Sequence, residues 1–155
     1  AEERYREALS ITEPIGEKRW RSYATRHLGF FCLNRGDLDD ALELLEESLR
    51  LREEIGLKAF VAPAYHAVGV AHLERGELDK AVSYCQRAYD LATELGMHRF
   101  RFIAVLAIGE AHEKRGDAQA ALASYRQGLG IADSVGADAW IASAREAIES
   151  VGSPE

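Results

Sequence analysis

Along most of the chain, apolar residues recur three and four positions apart, the spacing that lines one face of an α-helix. The segments LDDALELLEESLRLREEI, LDKAVSYCQRAYDLATEL and AQAALASYRQGLGIADSV carry this pattern. Each follows another helical stretch, ending in LGFFCLNRG, VGVAHLERG or IGEAHEKRG. The pattern predicts an all-α chain in which a first helix (A), a tight turn, a second helix (B) and a short connector alternate.

Shifting the chain by 40 residues lays the pattern on itself. Arg35-Gly36, Arg75-Gly76 and Arg115-Gly116 coincide, as do Gly29, Gly69 and Gly109, and Ala1, Ala41, Ala81 and Ala121. Two further series are Gly16, Gly56, Gly96 and Gly136, and the aromatic set Trp20, Phe60, Phe100 and Trp140. Such self-similarity is the signature of a repeat architecture. Gly36, Gly76 and Gly116 stand where helix A must stop, and glycine takes the left-handed conformation that ends a helix. The next residue, Asp37, Glu77 or Asp117, suits the positive start of helix B. Gly56, Gly96 and Gly136 close helix B in the same way.

Gly29, Gly69 and Gly109 fall inside helix A, where glycine costs about 1 kcal/mol relative to alanine. A cost repeated at each unit implies close approach of a neighbouring helix, with Ala41, Ala81 and Ala121 as the partners. Gly128 and Gly130 interrupt the last helix B, which is therefore expected to be the least stable.

The pattern Leu28-Gly29, Asn34-Arg35-Gly36-Asp37, Ala41-Leu42 and Leu45 resembles the tetratricopeptide consensus. It recurs as Val68-Gly69, Arg75-Gly76-Glu77, Ala81-Val82 and Cys85, then as Ile108-Gly109, Arg115-Gly116-Asp117, Ala121-Leu122 and Tyr125. The usual repeat has about 34 residues; the added residues here fall at the end of helix B and in the connector. This longer form is similar to repeats of kinesin light chains, of Gα-regulating spindle adaptors, and of bacterial signalling and transcription regulators. The resemblance implies a right-handed superhelical solenoid of antiparallel helix pairs and a protein- or peptide-binding role. The partner would be another protein, a peptide, or another segment of the parent protein.

On this reading residues 1–155 form one array, with full repeats at 17–56, 57–96 and 97–136. Residues 1–16 match a helix B alone: Ala1, Tyr5, Ala8 and Leu9 align with Ala41, Leu45, Ser48 and Leu49. Its missing helix A leaves a bare face, so further repeats are expected before Ala1, and the bare face of residues 1–15 offers a surface for self-association. Residues 137–155 begin like a helix A, but Glu149 replaces the repeated glycine, which favours a capping helix over a truncated repeat.

The resemblance places the binding surface mainly on helix A. Carried over position by position, it comprises Tyr23, Arg26, His27, Phe30 and Asn34, then Pro63, His66, Val70 and Glu74, then Ile103, Leu106, Glu110 and Lys114. Burial of single members against neighbouring helices is the competing reading for each. The family's Lys/Asn clamp for a terminal carboxylate is absent: Arg26, His66 and Leu106 stand at one of its positions, and Phe30, Val70 and Glu110 at the other.

Other chemistry is thinly supported. Cys32, His72 and His112 form a row one period apart, but equivalent atoms of stacked helices lie about 10 Å apart, whereas zinc holds its ligands about 2 Å from one centre. Packing histidines are the simpler reading, and no metal or cofactor is expected. Phosphate loops, nucleophile elbows and HExxH motifs are missing, so no enzyme is expected. Glu43, Glu46, Glu47, Glu53 and Glu54 read as a solvated outer face of helix B.

Composition changes this picture little. Hydrophobic residues make up 47% and charged residues 29%, as in an ordinary globular protein. A net charge of −7 argues against gripping nucleic acid directly. Cys32 and Cys85 read as buried, reduced thiols. Neither a membrane span nor a signal peptide is apparent, and a cytoplasmic setting is expected.

Overall fold

The computed structural model describes residues 3, 4, 6–8, 10 and 18–152. Its bounded helices are α1 (Lys18–Arg35), α2 (Leu38–Ile55), α3 (Lys58–Glu74), α4 (Leu78–Glu94), α5 (His98–Lys114), α6 (Ala118–Val135) and α7 (Asp138–Gly152). The described residues before Lys18 are helical as well. Ala1, Tyr5, Leu9 and Gly16, on which the orphan helix B and its bare face rested, lie outside the described residues.

α1, α3 and α5 are the A helices, α2, α4 and α6 the B helices. Each helix packs on its predecessor and successor, and the A helices also meet side by side, α3 against α5 and α5 against α7. Connections of two or three residues turn each helix back along the one before it. The chain is therefore an all-α tetratricopeptide-like solenoid, with α7 in the place of a further A helix.

The repeated glycines explain the turns. Gly36, Gly56, Gly76, Gly96, Gly116 and Gly136 all have φ between 65° and 83°, a left-handed conformation that L side chains adopt only with strain. After each A helix, the N–H groups of Asp37, Glu77 and Asp117 bond to the carbonyls of Cys32, His72 and His112 at 3.0, 2.9 and 2.9 Å. This is the double hydrogen-bond arrangement that ends a helix on a left-handed glycine. The acidic residues behave less uniformly than expected. Only Asp117 caps the following helix, accepting the Ala120 N–H at 3.0 Å. Asp37 pairs with Arg35 at 3.2 Å, and Glu77 turns back to His72 at 2.6 Å.

Helix A glycines do mark close approach. A Cβ on Gly69 would lie 2.5 Å from Cys85 Sγ and 3.3 Å from the Ala81 carbonyl oxygen. One on Gly29 would lie 2.8 Å from Leu45 Cγ and 3.3 Å from the Ala41 carbonyl oxygen, and one on Gly109 would overlap the Tyr125 ring. The nearest partner is thus the side chain at position 45, 85 or 125, with the backbone of Ala41 or Ala81 behind it in the first two repeats.

The two kinds of helix differ in burial. α3 buries Val61 to Tyr65, Ala67 to Gly69 and Ala71 to Leu73, because it is enclosed by α2, α4 and α5. α4 buries only Ala81, Cys85, Ala88 and Ala92, one stripe along an otherwise solvated cylinder. Ion pairs repeat with the fold. Arg75 reaches Asp39 at 2.8 Å and Arg115 reaches Asp79; Lys18 meets Glu54 at 2.8 Å and Lys58 meets Glu94 at 2.6 Å. The arginine of each later Arg-Gly pair thus ties its turn to the preceding helix B.

Candidate functional site

Stacking A helices side by side brings their equivalent positions onto one face. Between α3 and α5 this face opens into a groove of about 310 Å³. Its walls include His66, Val70 and Glu74 from α3 and Ile103, Leu106 and Glu110 from α5, with Tyr125 and Ala147 contributed by α6 and α7. Six of the positions carried over from the family resemblance therefore line one concavity. Its floor is aliphatic, and Glu74 and Glu110 lie toward the C-terminal ends of their helices. Lys114 is exposed and pairs with Glu110 at 3.1 Å.

The remaining candidates divide. Pro63 is buried within α3 and offers no binding surface; its ring fills space between helices and its missing N–H removes one helical hydrogen bond. His27 and Asn34 are exposed on α1. Tyr23, Arg26 and Phe30 are half-buried and engage each other and neighbouring elements. Arg26 lies 4.8 Å over the Phe30 ring, and Tyr23 meets Phe60 of α3 edge-on at 6.0 Å.

A residue outside the expected set organises this end of the face. Arg52, on helix α2, is only 3% exposed. It donates from Nη1 to the Phe60 carbonyl at 2.9 Å and lies 5.3 Å over the Tyr23 ring, bridging α1 and α3. The equivalent positions in later repeats are Ala92 and Ala132, both fully buried. This break in the repeat was visible in the sequence, but on helix B rather than helix A.

Cations gather here without acidic partners. No described carboxylate pairs with Arg26, Arg52 or Arg99, and the buried Nε atoms of Arg26 and Arg52 have no hydrogen-bond partner. Burial, together with the nearby Arg26, pushes Arg52 down to about 10, with Tyr23 opposing. Burial also lowers Arg26, with Tyr23 opposing and Arg99 adding to the shift. His66 is pushed down to about 4, first by burial and then by Arg26; a hydrogen bond to the Ile103 backbone opposes this and Arg99 adds to it. His27 is lowered by burial, then by Arg26 and Arg52. Mutual repulsion among uncompensated cations in a chain of net charge −7 marks a local reversal of sign.

The Cys/His/His row resolves into separate environments. His72 is almost fully buried, bonded to Glu77 through Nδ1 at 2.6 Å and stacked on Tyr84 at 5.3 Å. Cys32 and Cys85 are buried free thiols, and burial pushes Cys85 up to about 12, with Glu110 adding to it. Among the described residues no group of three His, Cys, Asp or Glu side chains could hold a metal ion.

The helix B carboxylates are more engaged than a freely solvated face. A charged trough of about 910 Å³ is lined by Arg21, Glu43, Glu46, Glu47, Arg50 and Glu53, among others. Within it Glu47 pairs with Arg50 at 2.7 Å and with Arg21 at 3.3 Å. Glu53 accepts the Tyr65 hydroxyl at 2.6 Å. Glu47, Arg50 and Glu53 are thus engaged, in contrast to the unbonded Nε atoms of Arg26 and Arg52.

Helix pairs stacked at a fixed period, with an open groove along one face, define a helical-repeat scaffold. A tetratricopeptide-repeat family model matches residues 21–94 and again residues 60–134, and the chain belongs to that family. No curated protein matches the chain. Tetratricopeptide repeats generally mediate protein–protein interaction, and their all-helical scaffold is typically not an enzyme. No helix among the described residues is long and apolar enough to cross a membrane.

Proposed function

We propose that the groove between α3 and α5 holds an extended segment of another protein, or of the parent protein itself. The module would act in the cytoplasm as the regulatory repeat domain of a larger bacterial signalling or transcription-regulating protein. The observation that carries the groove assignment is the joint presence of His66, Val70, Glu74, Ile103, Leu106 and Glu110 around one concavity. Aliphatic walls with a few directional polar groups at their edges are what peptide grooves use for affinity and register. The longer 40-residue repeat supports the regulatory context through its resemblance to such proteins.

The test is selection from a displayed library of random 12-residue peptides on the immobilised chain, followed by affinity measurement with Val70→Gln. Val70 is half-buried on the groove wall, and a neutral polar side chain there obstructs the groove without changing its charge. Selected peptides should bind Val70→Gln at least about tenfold more weakly, a change of about 1.4 kcal/mol, while its thermal melt keeps a cooperative helical transition. Equal binding to both proteins would place the interaction elsewhere.

A further inference from the structure

The groove between α3 and α5 carries charge of one sign. Among the described residues that line it, Glu74 and Glu110 are acidic and none is Lys or Arg. His66, two turns back along α3, is pushed down to about 4, chiefly by burial, and is uncharged at neutral pH. The rest of the lining is mainly apolar, with half-buried Val70, Ile103 and Leu106 open to an occupant.

Neither carboxylate is firmly held. Glu74 is exposed, and no hydrogen bond or ion pair engages it among the described residues. It is also the last residue of α3, where the negative end of the helix dipole disfavours a carboxylate and favours a cation. Glu110 meets Lys114 one turn further along α5 at 3.1 Å, but the two side chains are 47% and 42% exposed, and an exposed pair of that spacing holds only weakly. The spacing along the helices is definite as well. Val70 to Glu74, and Leu106 to Glu110, is four residues of helix, a rise of about 6 Å. An extended peptide advances about 3.3 Å per residue and turns every second side chain to the same face. Two of its residues therefore span the step from apolar wall to carboxylate.

We infer that the groove takes a peptide segment carrying an aliphatic residue and, two positions away, a Lys or Arg. Val70, Ile103 and Leu106 receive the aliphatic side chain, and Glu74 and Glu110 receive the cation. This rests on the groove reading above and adds the chemistry of the occupant. Charge complementarity selects it: loosely held carboxylates beside an apolar wall attract a cationic segment and repel an acidic one. The same two carboxylates repel the phosphates of a nucleic acid. The arriving ammonium or guanidinium group takes the place of Lys114 at Glu110, so Lys114 acts as an internal competitor for the site.

The experiment uses the random 12-residue peptide library on the full chain. The selected pool is expected to be at least about threefold richer than its input in Lys or Arg two positions from an aliphatic residue. Selected basic peptides should bind the double variant E74Q/E110Q at least about tenfold more weakly, and lose affinity with added salt. E43Q/E46Q removes the same charge from the outer trough of α2 and should change affinity by less than about twofold, which separates the site from the chain's overall acidity. K114Q frees Glu110 and should tighten binding at least about twofold; it carries the test if circular dichroism shows that E74Q/E110Q does not fold. A pool without the enrichment, peptides weakened equally by the two double variants or by neither, or K114Q binding no more tightly than the parent, would overturn the inference. If the selected peptides still lose affinity on Val70→Gln, the groove stands and only the basic specificity falls. If they ignore Val70→Gln as well, both readings fail.

Discussion

Glycines with the same helical setting have opposite roles here, and the difference is measurable. Gly69 and Gly130 both sit inside helices, where alanine is intrinsically preferred by about 1 kcal/mol. A Cβ at Gly130 would meet nothing within 4 Å, whereas one at Gly69 would press on Cys85 Sγ and on the Cys85 backbone nitrogen at 3.2 Å. Gly130→Ala should stabilise the chain by about 0.5–1 kcal/mol, and Gly69→Ala should destabilise it by about 1–3 kcal/mol. Urea denaturation checks both; a stabilised Gly69→Ala would show that the helices can simply move apart. His66 offers a second test at this scale. Its folded pKa of about 4 lies below the ordinary 6.5, chiefly through burial, with Arg26 of α1 and Arg99 of α5 adding repulsion. The unfolded chain therefore takes a proton that the folded chain refuses. The resulting stability is complete above pH 6.5 and disappears as pH falls toward 4, on the order of 2–3 kcal/mol. Thermal melts of His66→Gln should lose less stability across that interval than the parent; parallel losses would remove His66 as a source of acid sensitivity.

At the scale of the helix, the sequence spelled out starts and stops better than side-chain duties. The 40-residue recurrence of left-handed glycines forecast where helices end, because few other residues tolerate that backbone conformation. It could not forecast which of Asp37, Glu77 and Asp117 would cap, since that depends on competing partners. Arg35 takes Asp37, buried His72 takes Glu77, and only Asp117 is left to accept the Ala120 N–H. Removing the cap by Asp117→Ala should cost about 1 kcal/mol, while Asp37→Ala should stay within about 0.5 kcal/mol; equal losses in denaturation experiments would mean that both act only through the helix dipole. The candidate face shows the same division. Positions on α3 and α5 could be transferred by register, and six of them surround one groove. Pro63 could not be placed, because a period says which residues are equivalent but not how tightly neighbouring helices enclose each one. Arg52 lies on a B helix, outside the A-helix positions that the family register points to, although Arg52, Ala92 and Ala132 break the repeat as plainly as Tyr23, Pro63 and Ile103 do.

In the molecule as a whole, contacts run almost entirely between neighbours in sequence, so stability should be distributed rather than shared equally. α3 is enclosed by α2, α4 and α5, and most of its residues are buried. α7 rests on α6 with a smaller contact to α5, and among its described residues only Ala144 is fully buried; Trp140, stacked 5.1 Å from Phe102, is its main apolar anchor. The two glycines of α6 are not equivalent defects. A Cβ on Gly128 would come within 3.0 Å of Leu106, so its bareness lets α6 settle on the groove-forming helix, and only Gly130 is a pure loss of helix propensity. Native-state hydrogen exchange should therefore show a gradient, slowest at the α3 amides and fastest at those of α7, with α6 somewhat less protected than α4. Because α5 carries one groove wall and α3 the other, a bound peptide would bridge elements of different local stability. Protection should then rise more in α5 than in α3 when a selected peptide is added. A uniform rise, or uniform exchange before addition, would mean that the array opens only as one cooperative unit and that the groove inherits no local softness from its position.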